Sequence, residues 1–244
     1  VIRNYPILSK INITNLINVD VSDSTKSINN LIPLLKTFSE HKLLKNSSVL
    51  VIGGATLQDI VATACCLYHR GIDWIFVPTT ALAQGDSCVG SKTSVNGLLA
   101  KNQYGVFYPP RYILSCPEFL YSLPIEEIYS GLGDILHYLL PYKLVDKPLN
   151  DILSFLNDRK YLIRLCWELS EYAMRIKSEM VQIDEFDRGP RLIFNYGHTF
   201  GHALEKSTDS YLPHGIAVIM GMYISIQLAI SNGYQSAILI SQSN

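Results

Sequence analysis

Charge is scarce in this sequence. Asp, Glu, Lys and Arg make up 17% of the 244 residues, with 20 basic against 21 acidic. Without a basic excess, a general nucleic-acid binder or a protein drawn to anionic membranes is not expected. Cysteines number five, two of them adjacent (Cys65, Cys66), and no C-x-x-C or Cys-to-His ligand spacing occurs. A zinc ribbon or disulfide framework is therefore not expected, and a reducing, cytoplasmic setting is. Long apolar runs are missing too. The longest uncharged one, Gly215 to Ile230, is shorter than the roughly 18–20 residues of a membrane span and contains Ser225 and Gln227, so it reads as a buried core helix. The chain opens at Val1 with no basic-then-apolar leader, so no signal peptide is read.

What is present is apolar mass. Hydrophobic residues make up 48%, which excludes a disordered or collagen-like chain. A chain this long removes roughly 70–75% of its unfolded surface from water, enough for one large domain or two modest ones. Residues 1–25 suggest one or two short strands and loops. From Lys26 to His41 the apolar positions Ile28, Leu31, Ile32, Leu34, Leu35 and Phe38 follow a helical period. Val49 to Ile52 is a β-branched run stopped by Gly53-Gly54; Thr56 to Tyr68 is helical; Trp74 to Val77 is a second strand stopped by Pro78. That alternation is half of a parallel α/β sheet. Residues 81–117 read as loops and short strands. Beyond Pro124 the pattern is helical, with a long stripe from Tyr161 through Leu165, Leu169, Tyr172, Ile176 and Met180 to Ile183. A boundary near residue 120 is expected, with an α/β domain over 1–120 and a helical domain over 121–244.

Several segments can carry chemistry. Strand, Gly53-Gly54, helix is an arrangement in which backbone N–H groups hold a phosphate, although Gly53 to Gln58 does not satisfy G-x-G-x-x-G. A tight turn without a ligand accounts for it equally well. Asp59 is expected in the first turn of that helix, favourable to its dipole or touching a cofactor. Thr79 and Thr80 follow a strand at the edge where α/β ligands bind, or form a turn with two free hydroxyls. Asp86 to Asn102 gathers Asp86, Lys92, Lys101 and Asn102 with several hydroxyls, a set suited to a phosphorylated, polyhydroxylated ligand. Half of the six histidines, His198, His202 and His214, fall within one short stretch. On a helix His198 and His202 share a face, a spacing that suits two metal ligands, with His214 reaching in and Asp134 or Glu205 as a carboxylate third. Structural histidines at a polar helix end are the plainer alternative.

Together these segments resemble the dehydroquinate synthase family of sugar-phosphate cyclases, from about Lys26 to Ile230. The likeness is carried by RGIDWIFVPTTALAQGDSCVGSKTSVN (Arg70–Asn96), KNQYGVFYPP (Lys101–Pro110), RLIFNYGHTFGHALE (Arg191–Glu205) and LPHG around His214. The resemblance implies an incomplete Rossmann-like parallel-sheet NAD domain, then a helical metal-binding domain, with the active site between them, in a homodimer. It implies a lyase-type cyclisation of a heptulosonate 7-phosphate to 3-dehydroquinate and phosphate, in the shikimate pathway of aromatic amino acid biosynthesis, with NAD regenerated. Gly53, Gly54, Asp59, Thr79 and Thr80 match NAD-contacting positions. Asp86, Lys92, Lys101 and Asn102 match positions touching substrate or cofactor. Lys177, Arg191, Asn195 and His202 match substrate-site positions, which takes His202 out of the ligand set. Arg70 matches an arginine that reaches the substrate phosphate from the partner subunit. His198 and His214 match two of three metal ligands, zinc being the expected ion.

The sequence departs from that pattern at defined places. Asp134 stands where the third metal ligand is normally Glu, and His137 where a lysine normally follows. Ala55 and Gln58 replace glycines, and Ile216 replaces a glutamate. The family's first strand–helix–strand unit and final helices are not represented, so a fragment or truncated relative is expected. Alternatives are another sugar-phosphate cyclase of secondary or surface-polysaccharide metabolism, a metal-dependent alcohol dehydrogenase, and a non-catalytic degenerate fragment that binds a partner.

Overall fold

A computed structural model of the chain describes residues 13–22, 25–140, 158–208 and 212–234. The short strands expected over residues 1–25 lie partly outside these, and none is found in the part described. The described chain falls into two compact units. The first takes residues 1–78 and 91–114, and the second 79–90 and 115–244. Residues 79–90, on the α/β side of a boundary near residue 120, thus cluster with the helices.

The first unit is built on helix α1 (Ile28–Glu40), strand β1 (Ser48–Gly53), helix α2 (Ala55–Leu67) and strand β2 (Asp73–Pro78). Each lies within two residues of where periodicity and β-branching put it. Strands β1 and β2 pair in parallel from Ser48↔Asp73 to Gly53↔Pro78. A two-residue strand β5 (Tyr112–Ile113) adds to β2, giving the parallel order β1-β2-β5. An antiparallel hairpin of β3 (Lys92–Val95) and β4 (Tyr104–Phe107) forms a separate two-stranded sheet. The first unit's largest buried side chains include Leu31, Phe38, Ile60, Ile72, Trp74 and Phe76. Between α2 and β2 the chain turns through left-handed backbone at His69 (φ 50°), Arg70 (φ 61°) and Gly71 (φ 107°).

The second unit opens with a π-type turn (Ala83–Ser87) and continues into helices α3 (Ile125–Leu139), α4 (Arg159–Ile183), α5 (His198–Ser207) and α6 (His214–Ser231). Helix α4 is the expected amphipathic stripe. Its start is fixed by Asp158, whose Oδ1 accepts from the backbone N–H of Lys160 (2.9 Å) and Tyr161 (3.2 Å). The core gathers Leu120, Ile128, Ile135 and Leu139 with Leu162, Leu165 and Cys166. Helix α6 is apolar and long enough to cross a membrane by length and composition alone. It packs against α3 and α5 through Gly215, Ala217, Val218, Gly221 and Met222, while Ile219, Met220 and Tyr223 are exposed, so it is not the fully buried core helix expected. Gly197 caps α5 at φ 82°, and a Cβ there would stand 2.5 Å from Met222 Cγ on α6, so both backbone and space demand glycine.

Candidate metal and substrate site

The histidine-rich centre of the second unit is set by how closely α3 meets the start of α6. A Cβ on Gly133 would lie 2.3 Å from the carbonyl oxygen of Gly215, and one on Gly215 would lie 1.8 Å from the carbonyl oxygen of Ser130. Ser130 Oγ accepts the Gly215 N–H at 3.0 Å and pins the contact. Asp134, one turn further along α3, therefore sits under His214, the first residue of α6. Asp134 is fully buried, and neither carboxylate oxygen has a hydrogen-bond partner. Such an orphaned buried carboxylate carries a desolvation cost that a bound cation would relieve.

Donor atoms of Asp134, His198 and His214 all lie within 4.8 Å of one another, a span one divalent ion can bridge. His214 Nε2 is 3.5 Å from Asp134 Oδ1. The His198 ring is 5.4 Å from that of His214 and 4.9 Å from that of His137. Exposed His202 instead groups with Glu205 and His214. The face shared by His198 and His202 does not therefore put both in one three-donor group. Burial pushes the Asp134 carboxyl up to about 7 against the pull of His214. Burial would lower His214, yet Glu205 and Asp134 hold it up at about 9. Burial lowers His198 to about 4, so its ring is neutral and able to ligate near pH 7.

His137 is buried and packs at a tilt against the Tyr138 ring, its Nδ1 2.5 Å from the Asp134 carbonyl oxygen. Burial lowers it to about 4, so this position carries no charge at neutral pH. Cations enter from elsewhere. Lys177 on α4 pairs with Asp86 of the π-type turn, whose carboxylate also accepts the Tyr138 hydroxyl. Burial alone would raise Asp86, but Lys177, His137 and the Tyr138 hydrogen bond hold it well below the usual carboxylate range. Arg191 is buried and donates from Nη1 to the Glu185 carbonyl oxygen at 2.6 Å. Both cations flank Gly90 (φ 130°), where a Cβ would stand 3.1 Å from Arg191 Nη2 and 3.6 Å from Lys177 Cε. Asn195 is exposed at the end of a short 3-10 turn. Thr79 and Thr80 open the second unit, and Thr80 Oγ1 accepts the Ala83 N–H at 3.2 Å, which leaves its own O–H to donate.

The remaining candidates lie in the first unit. Gly54 caps α2 with extended backbone and has no side chain to cap its first turn. Asp59 lies past the first turn, not in it, because α2 begins at Ala55. Its carboxylate pairs with Lys26 and accepts the Ser94 N–H at 3.1 Å, so a local cation replaces the expected dipole role. Lys26 also donates to Asn102 Oδ1 at 2.6 Å. Lys92 and Lys101 are exposed on the hairpin, and Arg70 on its left-handed turn. Lys26 and Tyr138 went unnoticed in the sequence; neither belongs to a recurring spacing.

Two families of domains match the chain, 3-dehydroquinate synthase N-terminal over residues 16–130 and 3-dehydroquinate synthase C-terminal over residues 142–242. The chain belongs to the 3-dehydroquinate synthase family. A 3-dehydroquinate synthase of Alkaliphilus metalliredigens is 37% identical over 219 residues, covering 87% of this chain and 60% of its own length. Among solved structures, 2-deoxy-scyllo-inosose synthase superposes with a TM-score of 0.80 at 25% identity, covering 89% of this chain and 60% of that one. The 2-epi-5-epi-valiolone synthase of Streptomyces hygroscopicus subsp. jinggangensis 5008, with NAD+ and Zn2+ bound, superposes with a TM-score of 0.74 at 25% identity, covering 88% of this chain and 60% of that one. The chain thus spans about three fifths of the length of each of these family relatives.

Proposed function

We propose that the chain belongs to an NAD- and zinc-dependent lyase that eliminates phosphate from a heptulosonate 7-phosphate and closes the carbocycle of 3-dehydroquinate. The observation that carries this reading is the buried Asp134 carboxylate, without a hydrogen-bond partner, set against His198 and His214, with Lys177 and Arg191 in the same unit. Asp134, His198 and His214 would hold the metal, and Gly53, Gly54 and Asp59 with Thr79 and Thr80 would serve the NAD. When bound, the metal polarises substrate hydroxyl oxygens and the nicotinamide takes up and returns a hydride. Lys177 and Arg191 bind the anionic ends of the substrate by charge-assisted hydrogen bonds. Asp86 keeps the Lys177 ammonium in place, and Asn195, Lys92, Lys101 and Asn102 supply further polar contacts. His202 carries protons at the reacting hydroxyl. In the same reading the enzyme is a cytoplasmic homodimer. Arg70, held out by three successive left-handed residues, reaches the substrate phosphate of the partner.

A specific observation favours a second reading. Neutral, buried His137 gives no cation where the resemblance implies a lysine, which suits a sugar phosphate without a carboxylate. The test is phosphate release by the chain, supplied with NAD and zinc, from the heptulosonate 7-phosphate and from hexose 6-phosphates. Release from the heptulosonate alone supports the first reading. Release from hexose phosphates with no net NADH supports the second. Stoichiometric NADH accumulation would replace both with a dehydrogenase.

A further inference from the structure

The ring of His214 lies between two carboxylates from two helices. Nε2 faces Asp134 Oδ1 of α3 at 3.5 Å, and Nδ1 faces Glu205 Oε2 of α5 at 3.2 Å. As the first residue of α6, His214 has no preceding helical turn to lock its side chain, and that side chain is 29% exposed. An imidazole so placed can turn either nitrogen toward a cation unless something decides between them. A neutral ring has one N–H, and an ionised carboxylate only accepts, so a carboxylate at Nδ1 holds the proton on that nitrogen, which donates to it, and leaves the lone pair on Nε2. His202, one turn before Glu205 on α5, stacks on the same ring at 5.7 Å with planes 26° apart, which limits its tilt.

We propose that Glu205 is a positioning residue that fixes the tautomer and orientation of His214, so that Nε2 is the atom offered beside Asp134 and His198. This rests on the reading of those three residues as a metal site. Second-sphere carboxylates of this kind raise ligand basicity, and their removal typically costs roughly 10–100-fold in metal affinity. A competing arrangement exists on the same atoms. Donors of His202, Glu205 and His214 also lie within 4.8 Å of one another. An ion there would use Nδ1 of His214. With a second ion on Nε2 the ring would lose its last proton, so geometry favours one ion with Glu205 behind its ligand.

The test uses the 244-residue chain stripped of metal, titrated with Zn2+ against a chelator of known affinity. Glu205→Ala should weaken zinc roughly 10–100-fold. Glu205→Gln, whose amide oxygen can still accept the Nδ1 proton, should recover most of that loss. Nitrogen-15 imidazole spectra of the zinc-loaded native chain should show His214 protonated at Nδ1 and ligating through Nε2. Should Glu205→Ala not fold, the native spectra and Glu205→Gln still decide. Zinc held as tightly by Glu205→Ala as by the native chain overturns the proposal, as does ligation through Nδ1. Two ions per native chain, one of them lost with Glu205, would make Glu205 a ligand and equally overturn it. His198→Ala separates the underlying reading: if that variant keeps native zinc affinity, the metal site itself is wrong whatever Glu205 does.

Discussion

Asp134 is one methylene shorter than the glutamate implied at its position, and the surroundings explain why the shorter acid fits. Its carboxylate is fully buried, and Oδ2 lies 2.8 Å from the point a Cβ on Gly215 would take. Restoring glutamate there adds volume to a closed space. Asp134→Glu should therefore destabilise the chain by about 1–3 kcal/mol, measured by urea unfolding, and should not tighten zinc. Unchanged stability would show room that the packing denies. A pH dependence follows from His214. Its folded pKa of about 9 lies above an unfolded value near ~6.5, so the stability it lends is complete below that lower value. That contribution is lost as pH rises through about 9. Asp134, raised to about 7, titrates mostly below the His214 midpoint, and His137 and His198 titrate near 4. Chelator-treated protein should thus lose thermal stability between about pH 7.5 and 9.5, and His214→Gln should flatten that limb. Residue types and spacing offered Asp134, His198 and His214 only among five candidates, and the family likeness singled them out. Spacing alone pairs His198 with His202, because helix periodicity says which residues share a face and not what stands opposite.

Helix periodicity and β-branched runs located α1, α2, α4, β1 and β2 almost to the residue, since the helices bury apolar stripes and the strands are short apolar runs bounded by turn residues. The contact that builds the site left no such trace. It is made by backbone meeting backbone at Gly133 and Gly215, and glycines write no apolar pattern. The π-type turn at Ala83–Ser87, which delivers Asp86 to Lys177, likewise leaves no pattern in the sequence, because five residues are too few to show a period. In an open helix interior, Gly→Ala gains about 0.5–1 kcal/mol. At Gly215 the new methyl would enter the Ser130 carbonyl, and at Gly133 that of Gly215. Both substitutions should reverse sign and cost about 1–3 kcal/mol by overpacking. Zinc affinity should fall with them, because α3 must move away from α6. A stabilised Gly215→Ala chain with native zinc affinity would refute the close approach.

At the scale of the molecule, the parallel sheet is unevenly protected. Strand β2 buries Trp74, Phe76, Val77 and Pro78, whereas β1 buries only Val51 and, among the described residues, pairs with β2 alone. Parallel strands are normally covered on both faces, and an unpaired edge recruits other chains. The 244-residue chain should therefore self-associate with rising concentration in sedimentation experiments, and Ser48→Lys on the β1 edge should suppress it. A monodisperse sample that also binds NAD tightly would contradict this. The path of the chain has a consequence for anyone cutting the gene. Residues 79–90 cluster with the helices although strands lie on both sides of them in sequence. No single scissor cut recovers either unit whole. A helical piece begun at Ser115 would leave Asp86 on the discarded DNA, and the Lys177 ammonium and Tyr138 hydroxyl would be expressed without the acid they hold. Modular exchange in this protein is thus a matter of three splice points.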